Sequence, residues 1–453
     1  MTERGRGWAV VGGGLLGLTM AHRLTQAGKR VTVFEAAPQL GGLASAWQLG
    51  DVVWDRHYHV IMLSDMSLRN LLGEIGLADE LRFDQTRTGF YTGKGFYRMA
   101  TALDYLKFPA LSLIDKVRLA ATLMYISRVK DGRALERIPL ADWLTRLSGR
   151  RVFDQMWRPL LAAKMGDNYK IASASFIWSY VARIYAARRG GMKREMFGYI
   201  PGGYARILDR FGERLRDAGV DIQLSAPVEA IERRADGLAV TTPKGTQTFD
   251  RVIVTAAGPH AARMAKGLDA DEKERLNGIV YQGIICPSAL IDRPLAGYYL
   301  TYITDGSIPF TAIVEMSALV DKEENFGGSS LVYLPRYVTA DDPYWQLDDA
   351  EIERRFVAGL SRIYPDPGPA NVRSFRVSRV RQVYAISTLN YSDRLPPMVT
   401  SVPGLYIVNS AHIVNGTLAV NETVGLADRA TPEVLAAAAS LPAPSVPTKE
   451  HAA

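Results

Sequence analysis

Hydrophobic and polar positions near the amino terminus alternate in blocks that predict strand, helix and strand. The apolar run Trp8–Val11 has the length of a buried strand, and apolar residues then recur with a helical period up to Gly28. A second apolar run, Arg30–Phe34, ends at the acidic residue Glu35. The order of these blocks predicts a βαβ unit, in which a helix joins two parallel strands.

The turn between the first strand and the helix reads Gly12-x-Gly14-x-x-Gly17. Gly12 permits a tight turn, Gly14 lets the backbone approach a pyrophosphate, and Gly17 allows the helix to pack closely on the strand. The start of the helix offers unpaired N–H groups to phosphates. Glu35 can accept hydrogen bonds from ribose hydroxyls, and its charge repels a 2′-phosphate. The unit therefore predicts a site for FAD or NAD rather than NADP.

A second glycine-rich turn, from Pro38 to Ser45, follows the acid directly, where a nicotinamide-binding domain usually continues its sheet. Together the two turns resemble the flavoprotein superfamily of amine oxidases, protoporphyrinogen oxidases, phytoene-type desaturases and UDP-galactopyranose mutase. This resemblance implies FAD as the cofactor. Where the superfamily carries an arginine, this chain has Leu43.

Later segments extend the resemblance to most of the chain. Segments 199–204, 219–224, 227–231, 249–258 and 403–408 match its strands and turns, an amphipathic helix is predicted over 205–218, and 416–422 precede another helix. Asn409 and Ser410 stand where the superfamily has Gly-Asp. The residues that the resemblance assigns to the cofactor are Gly12, Gly14, Leu15, Leu16, Gly17, Glu35, Ala36, Gly41, Gly42, Leu43, Ala44, Val228, Ala256, Asn409, Ala419 and Val420.

The implied architecture is α/β, with two interleaved domains. Residues 5–100, 196–262 and 376–432 would form a discontinuous Rossmann-like FAD-binding domain of the glutathione-reductase type. Residues 101–195, a helical insertion, and 263–375 would form an α+β substrate domain. The tail 441–453 is rich in Pro, Ala and Ser and is expected to be disordered.

Composition agrees with a globular enzyme of this size. The 453 residues are 47% hydrophobic and 22% charged, which suits two domains that each hold a core. The single cysteine, Cys286, excludes internal disulfides and is expected in a buried strand. The apolar run after Arg6 is better explained by the nucleotide turn than by a signal peptide, so a cytoplasmic protein is expected. Prolines, glycines and asparagines interrupt 395–421 too often for a membrane span.

The net charge of +7 raises the question of nucleic-acid binding, but no arginine-rich tail or RNA-binding motif is present. The basic cluster of Arg183, Arg188, Arg189, Lys193 and Arg194 is either a solvated face or an entrance for an anionic substrate. Residues 106–128 form a helical pattern of Leu, Ile and Val with interleaved Lys and Arg. We expect this helix to pack on the core, with a membrane-surface patch as the alternative. The oligomeric state stays open.

Candidate catalytic residues follow the second glycine turn. His57, Tyr58 and His59 occupy a stretch that lies near the flavin ring in the superfamily, and a histidine could move a proton there. Lys164 is a further candidate, as an active-site cation, and His412 could line the cofactor or the substrate site. The two histidines lack companion ligands at metal-binding spacing, so no metal site is expected.

The function favoured by these residues is an FAD-dependent oxidoreductase that removes hydride from a C–C or C–N bond. Its substrate would be a buried small molecule, anionic or lipid-like, held against the flavin. Two alternatives stay open. One is a non-redox flavoenzyme that acts on a nucleotide-linked or lipid-linked sugar, and the other is an FAD-binding scaffold with degenerate chemistry.

Overall fold

The computed structural model describes residues 7–93, 95–98, 111–188, 196–365, 372–414 and 419–441. The expected disordered tail beyond residue 441, residues 415–418 and the basic residues Arg189, Lys193 and Arg194 lie outside them.

Most strands are short, β15 and β20 being the long ones, and they are spread over the described residues. In chain order they are β1 (Trp8–Val11), β2 (Val31–Phe34), β3 (Ala46–Leu49), β4 (Val52–Asp55), β5 (Ile61–Met62), β6 (Arg82–Gln85), β7 (Thr88–Tyr91), β8 (Phe96–Arg98), β9 (Met196–Tyr199), β10 (Asp221–Gln223), β11 (Ala230–Arg234), β12 (Gly237–Thr242), β13 (Gly245–Phe249), β14 (Arg251–Val254), β15 (Tyr281–Ile291), β16 (Leu300–Ile303), β17 (Ala312–Glu315), β18 (Ser330–Tyr333), β19 (Arg336–Val338), β20 (Val372–Ala385) and β21 (Leu405–Ile407).

The helices concentrate in the middle and at the carboxyl end. They are α1 (Leu15–Gln26), α2 (Met66–Glu74), α3 (Leu113–Ile126), α4 (Leu140–Ser148), α5 (Arg158–Met165), α6 (Ala174–Arg188), α7 (Gly203–Asp217), α8 (Gly258–Met264), α9 (Ala270–Asn277), α10 (Lys322–Phe326), α11 (Asp349–Ile363) and α12 (Val420–Ala439). A helical turn at Arg150–Val152 continues through a π-helical segment, Phe153–Trp157, into α5.

The first sheet is parallel, with strand order β10-β2-β1-β14-β21. All four residues of β1 and of β14 are buried, as expected for central strands covered on both faces. Helices α1 and α12 pack against each other beside this sheet. The predicted βαβ unit is thus confirmed, although α1 ends at Gln26, because Gly28 leaves the helical conformation with a φ of +71°.

The second sheet carries the order β19-β15-β18-β17-β16-β7-β8, and β20 pairs with the other edge of β15. The boundaries expected at residues 100 and 375 differ from this topology. β7 and β8 join the second sheet, because β7 pairs in parallel with β16, and β20 runs past residue 375. The interleaved two-part α/β architecture itself agrees with the expectation.

Helices α3 to α6 form the expected helical insertion around Trp143 and Trp157, which are both buried. The helix predicted within 106–128 is α3, and its Leu119 and Ile126 are in this core. The helix thus packs on the core as expected, but only through part of its apolar side. Leu113, Ile114 and Val117 are 69%, 67% and 63% exposed.

Cys286 is fully buried in β15, as predicted, and burial raises the pKa of its thiol. Its position among Ile284 and Leu290 in the core is that of a small apolar residue. Within the described ranges, no helix has the length and apolar character needed to span a bilayer.

Candidate functional site

A cavity of about 710 Å³ opens at the carboxyl ends of β1, β2 and β14. This is where parallel α/β sheets bind dinucleotides. Most residues assigned to the cofactor line it: Gly12, Gly14, Leu15, Leu16, Glu35, Ala36, Gly41, Gly42, Leu43, Ala44, Val228, Ala256, Ala419 and Val420. His57, Tyr58, His59 and Lys164 line the same cavity. Two assigned residues, Gly17 and Asn409, are not on its wall.

The first glycine turn is held by two close approaches within the protein. Gly12 has a φ of +117°, and a Cβ there would lie 2.3 Å from Thr255 Oγ1. A Cβ on Gly17 would lie 1.9 Å from the Gly12 carbonyl oxygen. Gly17 therefore contributes to the site indirectly. Because it has no side chain, α1 can pack against the turn, as the place of Gly17 in the motif predicts.

Gly14 differs from its neighbours because its Cβ position is open. The nearest atoms, on Gly41 and Gly42, lie 3.9 Å away. The second glycine turn docks on the first through a hydrogen bond from Gly41 N to Gly13 O at 2.8 Å. Since the first N–H groups of α1 have no intrahelical acceptor, Leu15 and Leu16 present them at the cavity wall. This cradle suits the pyrophosphate of FAD.

Glu35 is tied to the first glycine turn. Its Oε2 accepts a hydrogen bond from Gly13 N at 2.6 Å, and its Oε1 accepts one from Ala37 N at 2.8 Å. Each carboxylate oxygen has a second lone pair, so Glu35 can also accept from ribose hydroxyls. The geometry fits the expected role and adds a structural one.

Leu43 brings an apolar side chain where the superfamily has an arginine, and a different guanidinium lies on the cavity wall. Arg263 of α8 lines the cavity and donates to His260 Nδ1 at 3.1 Å, and His260 is also a wall residue. Neither residue was predicted from the sequence. The sequence feature that could have indicated them is the three-residue spacing of His260 and Arg263 directly after β14, the strand that re-enters the nucleotide domain. Residues three apart are neighbours on one side of a helix.

Asn409 and His412 are buried behind the wall. Asn409 Oδ1 accepts from Ala411 N at 3.0 Å and caps the short helical turn Ser410–His412. His412 Nε2 pairs with the Pro396 carbonyl at 3.0 Å. Their neighbours Ser410 and Ile413 line the cavity instead. A cofactor contact by Asn409 stays a prediction, and His412 has a structural position rather than the expected lining one.

His57 has both ring nitrogens engaged. Nδ1 donates to the Leu43 carbonyl at 3.1 Å, which leaves Nε2 to accept from the Ser378 hydroxyl at 3.0 Å. Burial is the main cause that lowers the pKa of His57 to about 4. The ring is therefore neutral near pH 7, and this geometry argues against the expected proton-transfer role for His57. It instead ties the second glycine turn to β20.

His59 lies on the wall beside a buried acid. Its Nδ1 is 3.8 Å from Asp55 Oδ2, and its ring packs against Tyr204 at 4.9 Å between centroids. Asp55 is fully buried, and burial raises the pKa of its carboxyl group. Tyr204 N donates to Asp55 Oδ1 at 2.7 Å. His59 is thus a wall histidine with one ring nitrogen close to a buried carboxyl group.

Tyr58 and Lys164 meet at a third residue, Tyr337. Lys164 Nζ donates to Tyr337 Oη at 2.6 Å, and the hydroxyls of Tyr337 and Tyr58 lie 2.8 Å apart. Burial and the nearby Tyr337 raise the pKa of Tyr58, so its hydroxyl stays protonated. The structure therefore brings together two of the expected catalytic residues through one that the sequence did not indicate.

A second, smaller cavity of about 90 Å³ adjoins the first. Lys164, Ser410 and Ile413 line both. Most of the remaining wall comes from α6, the end of β20 and the segment after β20, with Phe176, Ser179, Tyr180, Tyr384, Ser387 and Tyr391 among its residues. Across the part of the chain that the structure describes, no cluster of three metal-ligating side chains occurs.

Comparisons with known proteins agree with this site. The chain is 22% identical over 394 residues to a 15-cis-phytoene desaturase of Narcissus pseudonarcissus, which covers 80% of this chain and 67% of that protein. It is 26% identical over 284 residues to the coproporphyrinogen III oxidase of Mycobacterium tuberculosis, with 58% and 61% covered. The solved structure of an oxidoreductase from Methanosarcina mazei superposes with a TM-score of 0.73 at 18% identity, over 94% of this chain and 99% of that one.

The family model described as flavin containing amine oxidoreductase matches residues 17–431, nearly the whole chain. This match confirms FAD as the cofactor and an oxidoreductase as the class of enzyme. The chain belongs to the flavin-containing amine oxidoreductase family.

Proposed function

We propose that the protein removes hydride from a carbon atom of a C–C or C–N bond. The substrate would be a small molecule that is either apolar and uncharged or anionic. The observation that carries this proposal is the junction of the two cavities at Lys164, Ser410 and Ile413. Bound FAD supplies the hydride acceptor from the larger cavity. The reacting segment of the substrate lies in the smaller one, where protein walls exclude water.

The chemistry of the smaller cavity favours an apolar substrate. The Tyr384 hydroxyl donates to the Lys164 carbonyl at 2.9 Å, and the Tyr391 hydroxyl donates to the Ala411 carbonyl at 2.8 Å. Because these hydroxyls are already engaged, both tyrosines offer mainly their rings to a ligand. Burial also raises the pKa of each, which keeps them uncharged.

Lys164 is the charged group at the junction, and it disfavours a protonated amine as substrate by like-charge repulsion. A polyene or a tetrapyrrole avoids this cost. The similarity to a phytoene desaturase and a coproporphyrinogen III oxidase supports this choice. When hydride leaves such a substrate, a proton must leave the neighbouring atom. We propose that this proton leaves where the two cavities join and that His59, on the wall of the larger cavity beside Asp55, accepts it.

Anaerobic mixing of the holoenzyme with phytoene, coproporphyrinogen and putrescine tests this proposal. We expect phytoene or coproporphyrinogen to bleach the visible flavin absorbance, and putrescine to leave it unchanged. Bleaching by putrescine alone would contradict the proposal. So would conversion of UDP-galactopyranose without net flavin reduction, which is the outcome expected of the mutase alternative, or a flavin that none of these compounds reduces, which is expected of a scaffold.

We also propose that the protein contacts a membrane surface through α3. Leu113, Ile114 and Val117 form an exposed apolar stripe that continues at Met124 and Tyr125, which are 47% and 50% exposed. An amphipathic helix with its apolar side outward lies stably in the interface of a bilayer. A stripe at this site would give an apolar substrate a short path from lipid to the helical domain.

The charges around α3 favour anionic lipid over a second copy of the chain. Lys116 and Arg118 are on α3, and its one acid, Asp115, is buried at the amino end, where it caps with Ser112. A two-fold dimer through this stripe would oppose the same cations. Anionic headgroups instead complement them. The cytoplasmic location expected from the sequence stays a prediction.

The variant Ile114→Glu/Val117→Glu tests the membrane contact. We expect wild-type protein to sediment with phosphatidylserine-containing vesicles, and the variant to bind about tenfold or more weakly, because two apolar side chains no longer enter the interface. Val53→Glu is the control, since Val53 is 51% exposed on β4, away from α3. Equal binding by both variants, or a wild-type dimer that Ile114→Glu/Val117→Glu dissociates, would exclude this lipid contact.

A further inference from the structure

The ammonium group of Lys164 is held by two aromatic rings and one hydroxyl. Its Nζ lies 4.1 Å from the ring centroid of Tyr337 and 5.5 Å from that of Tyr384. The Tyr337 hydroxyl also accepts a hydrogen bond from Nζ at 2.6 Å. A lysine side chain is flexible, with many rotamers of similar energy. These contacts select one of them, so they determine where the positive charge sits at the junction of the two cavities.

The two tyrosines act on different parts of Lys164. The Tyr384 hydroxyl bonds to the lysine carbonyl, so it secures the last turn of α5 rather than the ammonium. Only the Tyr337 hydroxyl, among the contacts of the described residues, accepts a hydrogen bond from Nζ. A charge-assisted hydrogen bond of this kind is stronger than a neutral one.

Tyr337 is itself oriented by a buried neighbour. Its hydroxyl pairs with that of Tyr58 at 2.8 Å, and Tyr58 packs against Tyr333 with ring centroids 6.0 Å apart. Tyr337 is the middle residue of β19, which pairs with β15 in the second sheet. The hydroxyl group that binds Lys164 therefore belongs to a strand of the second sheet, whereas Lys164 belongs to the helical insertion.

We propose that Tyr337 is a positioning residue, whose hydroxyl holds the Lys164 ammonium at the cavity junction so that its charge acts on the bound flavin. The inference rests on the FAD site and not on the proposed substrate. Tyr337 exerts this effect through Lys164. Its loss should therefore have no consequence for the flavin once the lysine charge is gone.

Sulfite titration of the holoenzyme measures this effect without a substrate. Sulfite adds reversibly to oxidised flavin and bleaches it, and a nearby positive charge favours the anionic adduct. We expect Lys164→Met to weaken sulfite binding most. Tyr337→Phe, which keeps the ring and removes the hydroxyl, should weaken it by about tenfold, as the loss of one charge-assisted hydrogen bond predicts. In the Lys164→Met background, Tyr337→Phe should have no further effect.

Tyr333→Phe is the matched control. Its hydroxyl is buried nearby but donates to the Asp55 carbonyl, so sulfite affinity should stay at the wild-type value even if stability falls. FAD content, measured for every variant, confirms that each comparison uses loaded enzyme. The proposal is overturned if Tyr337→Phe leaves sulfite affinity unchanged, if Lys164→Met does so, or if Tyr337→Phe weakens binding equally with and without the lysine. A failure of phytoene or coproporphyrinogen to react would leave this result untouched.

Discussion

Gly14→Val is expected to yield a folded protein that is colourless after purification. The Cβ position of Gly14 meets no protein atom closer than 3.9 Å, so the valine does not disturb the packing of the two glycine turns. Its side chain instead enters the cavity between the turns, where the pyrophosphate must approach the backbone. Loss of FAD should be complete, because backbone N–H groups at a helix start work only at close range.

The absorbance spectrum and the far-ultraviolet circular dichroism of the purified variant check this result. Gly73→Val is the control, since a Cβ at Gly73 on α2 has no atom within 4 Å and the residue is outside the cavity. We expect this control to be yellow. A Gly14→Val protein that retains stoichiometric flavin would show that the cradle does not hold the pyrophosphate.

His57→Gln is expected to make the free energy of unfolding less sensitive to pH on the acid side of neutrality. The pKa of His57 is about 4 in the folded protein, against 6.5 for an exposed histidine. Between these two values the unfolded chain binds more protons than the folded one, so the free energy of unfolding decreases as the pH falls through that window. The difference corresponds to about 3 kcal/mol.

Glutamine can replace the two hydrogen bonds of His57, since it has a donor for the Leu43 carbonyl and an acceptor for the Ser378 hydroxyl. Glutamine does not titrate, so the free energy of unfolding of His57→Gln should lack this pH-dependent contribution. Urea unfolding of both proteins from pH 4 to pH 7 gives the difference curve, in which contributions of the other buried histidines cancel. Parallel curves for the two proteins would mean that folding leaves the pKa of His57 unchanged.

The parts of the site that could be predicted from sequence are those with local causes. A tight turn, a close helix and an acid at the end of β2 are all fixed within Gly12 to Glu35, and the structure has each in the expected place. Backbone geometry demands glycine there, and few other residues satisfy it. A dinucleotide site could therefore be predicted from these 24 residues and their order, and the second glycine turn then favoured FAD over NAD.

The side chains that complete the wall could not be found in this way. Tyr337 lies 173 positions from Lys164 and 279 positions from Tyr58 along the chain, so no spacing rule connects them. Their meeting depends on how the second sheet packs against the helical insertion. His57 shows the opposite error. Its position at the cavity was expected, but its burial against Ser378 of β20, which makes it a poor base, depends on a strand 321 positions away.

The sequence left two interpretations of α3 open, core packing or a membrane-surface patch, because an amphipathic period does not say which side of a helix faces inward. Leu113 and Ile114 match the apolar pattern as well as Leu119 does, and only the third is in the core. Burial is set by the neighbours that α4 and α6 provide. Hydrophobic period alone predicts a helix, and not its orientation.

Because β7 and β8 belong to the second sheet, the strands of the two sheets alternate along the polypeptide, which limits how it can be divided into fragments. The first sheet draws its strands from residues 8–34, 221–254 and 405–407, and the second from 88–98 and 281–385. No single cut therefore separates one complete sheet from the other. A cut in any loop between β1 and β21 would leave strands of at least one sheet in different fragments, so we expect the two sheets to melt together in a single calorimetric transition.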